Sequence, residues 1–247
     1  MQKIKSVKIK DFQIEYILLG KGEDLLFLHG GCGSFRAYEK FLYDLSKHYC
    51  IWAMSLPGAG KSSKLHRNWN FNIYPEIVYE FVKKNNIKPL IAGHSFGGAV
   101  SINAKAKYPS AFKNLILISS AGVKHKTPNR TILRVMSYPF KIILPSIYDI
   151  PKRQFLKDVV INLYYHPFDM LKIAHMFKEL DLKDIMRNID EEVLLIWGKD
   201  DKSVSTSYIK EFKRYLKDTN VYIFRGDHGF LYNQGDKIAN IIKRECR

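Results

Sequence analysis

An α/β fold built on a largely parallel sheet is predicted by three features of this sequence. Short apolar runs alternate with stretches of helical periodicity along most of the chain. Two of the runs, "LILISSAG" and "VLLIWG", are apolar almost throughout, as strands covered on both faces require. A third run, "PLIAGHS", passes directly into the helix-like "FGGAVSINAKAKY". Strands and helices in alternation form βαβ units, and hence parallel strands joined by right-handed crossovers.

Taken in order, "VKIKDF", "QIEYILLG" and "DLLFLHG" read as short strands punctuated by Asp and Gly. A helix is expected over 34–47, a strand at "CIWAMSL", and a further helix over 72–85. After the strand–turn–helix already noted come the two apolar strands and then "VYIFRG", whose mixed polarity suits a strand near the edge. One interval breaks the alternation. Between Gly122 and Asp190 no strand is evident, and the apolar-basic stretches "RTILRVMSYPFKIILPSIY" and "FLKDVVINLYY" are cut by Pro139, Pro145, Pro151 and Pro167. Prolines at that density divide helices into short pieces. The expected organisation is a sheet domain over 1–122 and 189–247 with a helical lid inserted at 123–188.

Bulk properties exclude several classes. The N-terminus alternates apolar and charged residues, unlike a signal peptide, and no apolar run is long enough to span a bilayer, so a soluble cytoplasmic protein is expected. Cys32, Cys50 and Cys246 are odd in number and form no CxxC, which points to free thiols rather than a disulfide framework or zinc ribbon. The net charge is +16, a balance that can favour anionic partners. The lysines are spread along the chain without any RNP, zinc-finger or KH pattern, so no nucleic-acid partner is expected. No HExxH or His/Cys cluster implies a metal, and no cofactor is expected.

The strongest chemical signal is "AGHSFGGAV", which sets Ser95 between Gly93 and Gly97 where a strand meets a helix. A nucleophile on such a turn is held in strained backbone geometry, and the flanking glycines permit the close approach. A serine hydroxyl needs a base to take its proton and a carboxylate to orient that base. Of eight histidines, His228 in "FRGDHGF" follows the last strand in a short loop at the sheet's carboxyl edge. The loop in "LLIWGKDDKSV" offers Asp200 and Asp201 at the same edge, where open α/β folds place their sites. For the oxyanion of acyl transfer two N–H donors are required. Phe96, directly after the serine, supplies one; Gly31 in "FLHGGCGS" is the first choice for the other and Cys32 the second.

These residues bring a family into view. "HGGCGS", "GHSFGG", "WGKDDKSV" and "GDHGF" resemble the oxyanion loop, nucleophile elbow, acid loop and C-terminal histidine turn of the α/β-hydrolase superfamily, in particular its lidded esterase and C–C hydrolase branch. The Trp-Gly-x-x-Asp likeness selects Asp201 over Asp200. The resemblance also explains "SLPGAGKSS", whose Gly60-Lys61-Ser62 imitates a P-loop: counting back from Gly60, the glycine a P-loop requires is Ser55. The family's Asp-x-Pro-Gly-x-Gly-x-Ser turn fits instead, with Ser55 in place of the Asp, a departure expected to weaken a structural contact.

The expected function is hydrolysis of carboxylic esters, short to medium acyl esters or lactones, through Ser95, His228 and Asp201 and an acyl-enzyme. Leu133, Val135, Met136, Tyr138, Phe140, Tyr164, Tyr165, Phe168, Met170, Met176 and Phe177 collectively imply an apolar cleft under the lid. Lys124, Lys126, Arg130 and Arg134 would instead favour a carboxylated substrate. Within the same family resemblance the competing readings are a C–C bond hydrolase, an aminopeptidase (whose elbow usually carries Trp where this chain has Phe96), and a ligand receptor that keeps the hydrolase fold.

Overall fold

The computed structural model describes residues 4–66, 68–124 and 150–246. Its strands are β1 (Lys5–Ile9), β2 (Phe12–Leu19), β3 (Asp24–Leu28), β4 (Cys50–Met54), β5 (Leu90–His94), β6 (Leu115–Ile118), β7 (Val193–Gly198) and β8 (Thr219–Phe224). They form one sheet in the order β1-β2-β4-β3-β5-β6-β7-β8. From β4 to β8 every pairing is parallel, whereas β2 is antiparallel to both β1 and β4. The first hairpin turns earlier than "VKIKDF" implied. Ile9 pairs with Phe12, and Lys10 takes the left-handed conformation (φ 51°) that a two-residue hairpin needs.

Side chains alternate across the sheet and fill two apolar cores. Leu25, Phe27, Leu194 and Ile196 pack with α1 (Glu39–Ser46) and α8 (Gly235–Glu245). Leu26, Leu28, Leu195 and Trp197 pack with α2 (Ile73–Lys84), α3 (Phe96–Lys107) and α7 (Ile209–Tyr215). Burial on both faces is the reason these strands read as continuous apolar runs. β8 lies at the edge and is only partly buried along its length, in line with its mixed polarity. The helix expected over 34–47 begins as a 3-10 turn, Phe35–Tyr38, capped by the Ser34 hydroxyl accepting from the Arg36 N–H.

Between β6 and β7 the described elements are helices: α4 (Ile150–Tyr165), α5 (Pro167–Glu179) and α6 (Lys183–Met186). Pro167 opens α5, a position where its missing N–H costs nothing. Phe155 and Val159 join one core and Ile173 the other. Three residues expected in the cleft face outward instead: Tyr164 is 80% exposed, Tyr165 47% and Phe168 82%. Leu133, Val135, Met136, Tyr138, Phe140, Lys126, Arg130 and Arg134 lie outside the described residues. Lys124 is exposed and pairs with Glu179 at 3.3 Å. Among the described residues no helix is long and apolar enough to cross a membrane.

The turn "SLPGAGKS" is not short of a carboxylate. Glu15 of β2, 3% exposed, accepts from Ser55 Oγ (3.0 Å) and from the Lys61 N–H (2.6 Å). Its two oxygens also take both arms of the Arg36 guanidinium at 2.5 and 2.7 Å. Burial opposes the charge, but Arg36 and the Lys61 amide more than offset it and hold the carboxyl below its usual value. The carboxylate this turn lacks at Ser55 is thus supplied by Glu15 of β2. Glu15→Gln takes from the half-buried Arg36 the carboxylate that bonds both its arms, and is expected to cost about 3 kcal/mol. Ser55→Asp in the wild type crowds two carboxylates and also destabilises. Combined, the two changes return a carboxylate to Arg36, so a urea-denaturation double-mutant cycle should give a double variant more stable than either single one.

Candidate active site

All the proposed site residues sit at the carboxyl ends of strands. Ser95 follows β5 and precedes α3, with φ 52° and ψ −117°. Non-glycine residues rarely occupy that region, at a cost on the order of 1–3 kcal/mol. The turn tolerates no bulk on either side. A Cβ on Gly93 would lie 2.4 Å from the Gly97 carbonyl oxygen, and one on Gly97 would lie 2.2 Å from that of Leu28.

Of the two aspartates after β7, Asp201 meets the histidine: its Oδ2 accepts from His228 Nδ1 at 2.7 Å. Its other oxygen accepts the Ser203 and Val204 N–H groups, each at 2.8 Å. Asp200 is exposed and turns to the Gly226 N–H at 3.4 Å. Burial works against the Asp201 charge, yet His228 and the Val204 amide overcome it and keep the carboxyl below its usual value. Since an ionised carboxylate only accepts, His228 Nδ1 carries the hydrogen and Nε2 is left to act as a base.

Two histidines that sequence reasoning set aside hold this geometry. His94 is buried, and its Nε2 donates to the backbone carbonyl of His228 at 3.0 Å. Its Nδ1 therefore accepts, from the Tyr38 hydroxyl at 2.8 Å, and that hydroxyl accepts from the Gly30 N–H at 2.9 Å. The His94 and His228 rings lie 4.6 Å apart. Burial, aided by the neighbouring His228, holds His94 well below its ordinary value, so it stays neutral.

His29 does the same for the loop after β3. It accepts the Leu56 N–H on Nε2 (2.9 Å), so Nδ1 carries the hydrogen and donates to the Gly30 carbonyl at 2.8 Å. Burial pushes His29 down to about 4. Because the peptide is trans, pinning the Gly30 oxygen turns the Gly31 N–H to the opposite side. A Cβ on Gly31 would lie 3.7 Å from Phe96 Cβ, so the two candidate donor residues adjoin. Phe96 is the first residue of α3, where an N–H has no acceptor within the helix. Cys32, the second choice, takes φ 67°. Burial raises its thiol to about 11, which makes it a poor target for alkylation.

Ser95, His228, Gly31 and Cys32 line one cavity of about 790 Å³, its open mouth included. Phe155, Ile173, Ala174 and Phe177 of α4 and α5 cover it, and no Lys, Arg, Asp or Glu occurs among its described lining residues. Of the apolar residues expected at this cleft, Phe177 is there; Phe155, Ile173 and Ala174 were not foreseen.

A family model described as the alpha/beta hydrolase fold matches residues 25–146. The chain belongs to the α/β-hydrolase superfamily. Among α/β-hydrolase relatives, the pimeloyl-(acyl-carrier protein) methyl ester esterase of Wigglesworthia glossinidia brevipalpis is 23% identical, with 92% of this chain and 95% of the relative covered. The 2-hydroxy-6-oxo-6-(2'-aminophenyl)hexa-2,4-dienoic acid hydrolase of Metapseudomonas resinovorans is also 23% identical, covering 85% and 79%. A solved structure of a putative lipase from Acinetobacter baumannii AYE superposes with a TM-score of 0.82 at 22% identity, covering 98% of this α/β-hydrolase chain and 90% of that one. These relatives are named as an esterase, a dienoic acid hydrolase and a putative lipase, so membership fixes a hydrolase fold and not a substrate.

Proposed function

We propose that this protein is a serine carboxylesterase acting on uncharged short- to medium-chain acyl esters or lactones, with residues 123–188 serving as its lid. Ser95 Oγ attacks the acyl carbonyl carbon while His228 Nε2 takes the hydroxyl proton. The oxyanion receives the Phe96 and Gly31 N–H groups. Collapse breaks the acyl–oxygen bond, and the proton on His228 passes to the departing alcohol. Water then attacks the acyl-serine, giving its proton to His228, and the acid leaves as Ser95 recovers that proton.

One observation carries the reading: a histidine with Nδ1 committed to a buried carboxylate shares an apolar cavity with a serine held at positive φ. Favouring uncharged esters is the apolar wall that Phe155, Ile173, Ala174 and Phe177 present to the cavity, which suits an acyl chain. The test is steady-state hydrolysis of p-nitrophenyl esters from acetate to dodecanoate, run beside a 2-hydroxy-6-oxo-dienoate. Multiple turnovers peaking at short or medium chains are expected. A burst without turnover, or faster cleavage of the dienoate, would overturn the esterase reading.

A further inference from the structure

Helix α4 exposes Arg153 and Lys157 but turns two other polar residues inward and leaves apolar ones outside. Asp158 and Asn162, four apart and so on one face, are each 1% exposed, whereas Val160, Leu163 and Tyr164 are 58%, 48% and 80% exposed. A buried carboxylate and carboxamide require partners, and here those partners are backbone groups of two core loops together with the Ser34 hydroxyl. Asp158 accepts from the Ser34 N–H and, at 2.7 Å, from the Ser34 hydroxyl. Asn162 donates to the Cys32 carbonyl at 3.3 Å and accepts the Gly60 N–H at 2.6 Å. A third member of the row, His166 (3% exposed), bonds the Gly60 carbonyl at 2.9 Å.

The loop so held is the one that presents Gly31. Cys32 sits at φ 67°, a conformation a side-chain-bearing residue keeps only when its surroundings enforce it. On the core side His29 pins the Gly30 carbonyl. Beyond Gly31, the next fixed points are the Cys32 carbonyl and the Ser34 amide, and both are fixed by α4.

We propose that Asp158 and Asn162 are positioning residues for the oxyanion hole, so that the Gly31 N–H is correctly aimed only while α4 is docked on the loop 31–34. The proposal rests on the serine-hydrolase reading above. Helix α4 also supplies Phe155 to the cavity wall, so the element that encloses the acyl group is the element that sets the donor.

The variants that test this are Asn162→Ala, Asp158→Ala and Asp158→Asn. In the last, the amide can accept the Ser34 N–H and donate to the Ser34 hydroxyl, which reverses its role. Both alanine variants are expected to lower kcat about 10- to 100-fold with KM changed less than about 3-fold, a displaced donor costing less than a deleted one. Binding of a trifluoromethyl ketone, which forms a tetrahedral oxyanion on Ser95, should weaken by the same factor as kcat/KM, and that of the matching methyl ketone should not. Asp158→Asn should recover most of the loss. Amide hydrogen exchange should quicken at 31–34 in the alanine variants and stay unchanged in β3 and β5, which separates a loosened loop from a damaged fold. Undiminished kcat in both alanine variants, equal weakening of the two ketones, or exchange at 31–34 as slow as in the wild type would overturn the proposal. Failure of the wild type to react with a fluorophosphonate or any ester would instead overturn the serine-hydrolase reading, and the exchange measurement would still judge the clamp.

Discussion

Ser95→Ala is expected to lower kcat/KM for p-nitrophenyl butyrate by about 10⁴-fold or more, because in the proposed mechanism the acyl-enzyme forms on Ser95. The fold should be untouched, since alanine keeps the Cβ and therefore the same left-handed backbone strain. Ser95→Gly separates the two roles of this position. Glycine removes the nucleophile and also relieves the φ of 52°, so it should be as inactive as the alanine variant yet more stable by about 1 kcal/mol. Paired urea denaturation and initial-rate measurements check both points. More than a tenth of the wild-type activity in Ser95→Ala would remove the serine from the mechanism.

Asp201→Asn should cost nearly as much, and the reason lies in the contacts of the oxygen that His228 does not use. Oδ1 accepts two backbone amides, from Ser203 and Val204. An asparagine must keep its carbonyl oxygen there, which turns its NH₂ toward His228 Nδ1. That nitrogen then has to accept, the ring hydrogen moves to Nε2, and Nε2 can no longer take the proton of Ser95. A loss of about 10³- to 10⁴-fold in kcat is expected, with little change in KM. Partial return of activity at high pH, where hydroxide replaces the missing base, is the accompanying signature. An Asp201→Asn enzyme within 10-fold of wild type at neutral pH would mean that another carboxylate orients His228.

How much of this was legible in the sequence depends on the range of the interaction. The β5–turn–α3 unit is local: strand pattern, glycines and serine are consecutive, and the chain trace follows them. The parallel strands were legible because burial on both faces leaves a one-dimensional signature, and the loops after β7 and β8 could be aligned with it. Glu15 could not be found that way. A single acid in an alternating strand reads as a solvent-facing residue, and only the sheet order, with β2 beside β4, brings it against Ser55. His94 and Tyr38 are 56 positions apart, and no spacing rule links them. Asp158 and Asn162 look like ordinary surface residues in "FLKDVVINLYY"; that the helix is docked by this face, leaving Tyr164 outside, is decided by the backbone groups it meets.

The bond from His94 to the His228 carbonyl has a mechanical consequence. His94 is the residue immediately before Ser95, so the loop that carries His228, the proposed base, is tethered to the turn that carries the proposed nucleophile. A shift of the end of β5 is thereby transmitted to the loop that bears His228 as well as to Ser95. Moving the His228 backbone away from the end of β5 therefore strains the His94 bond.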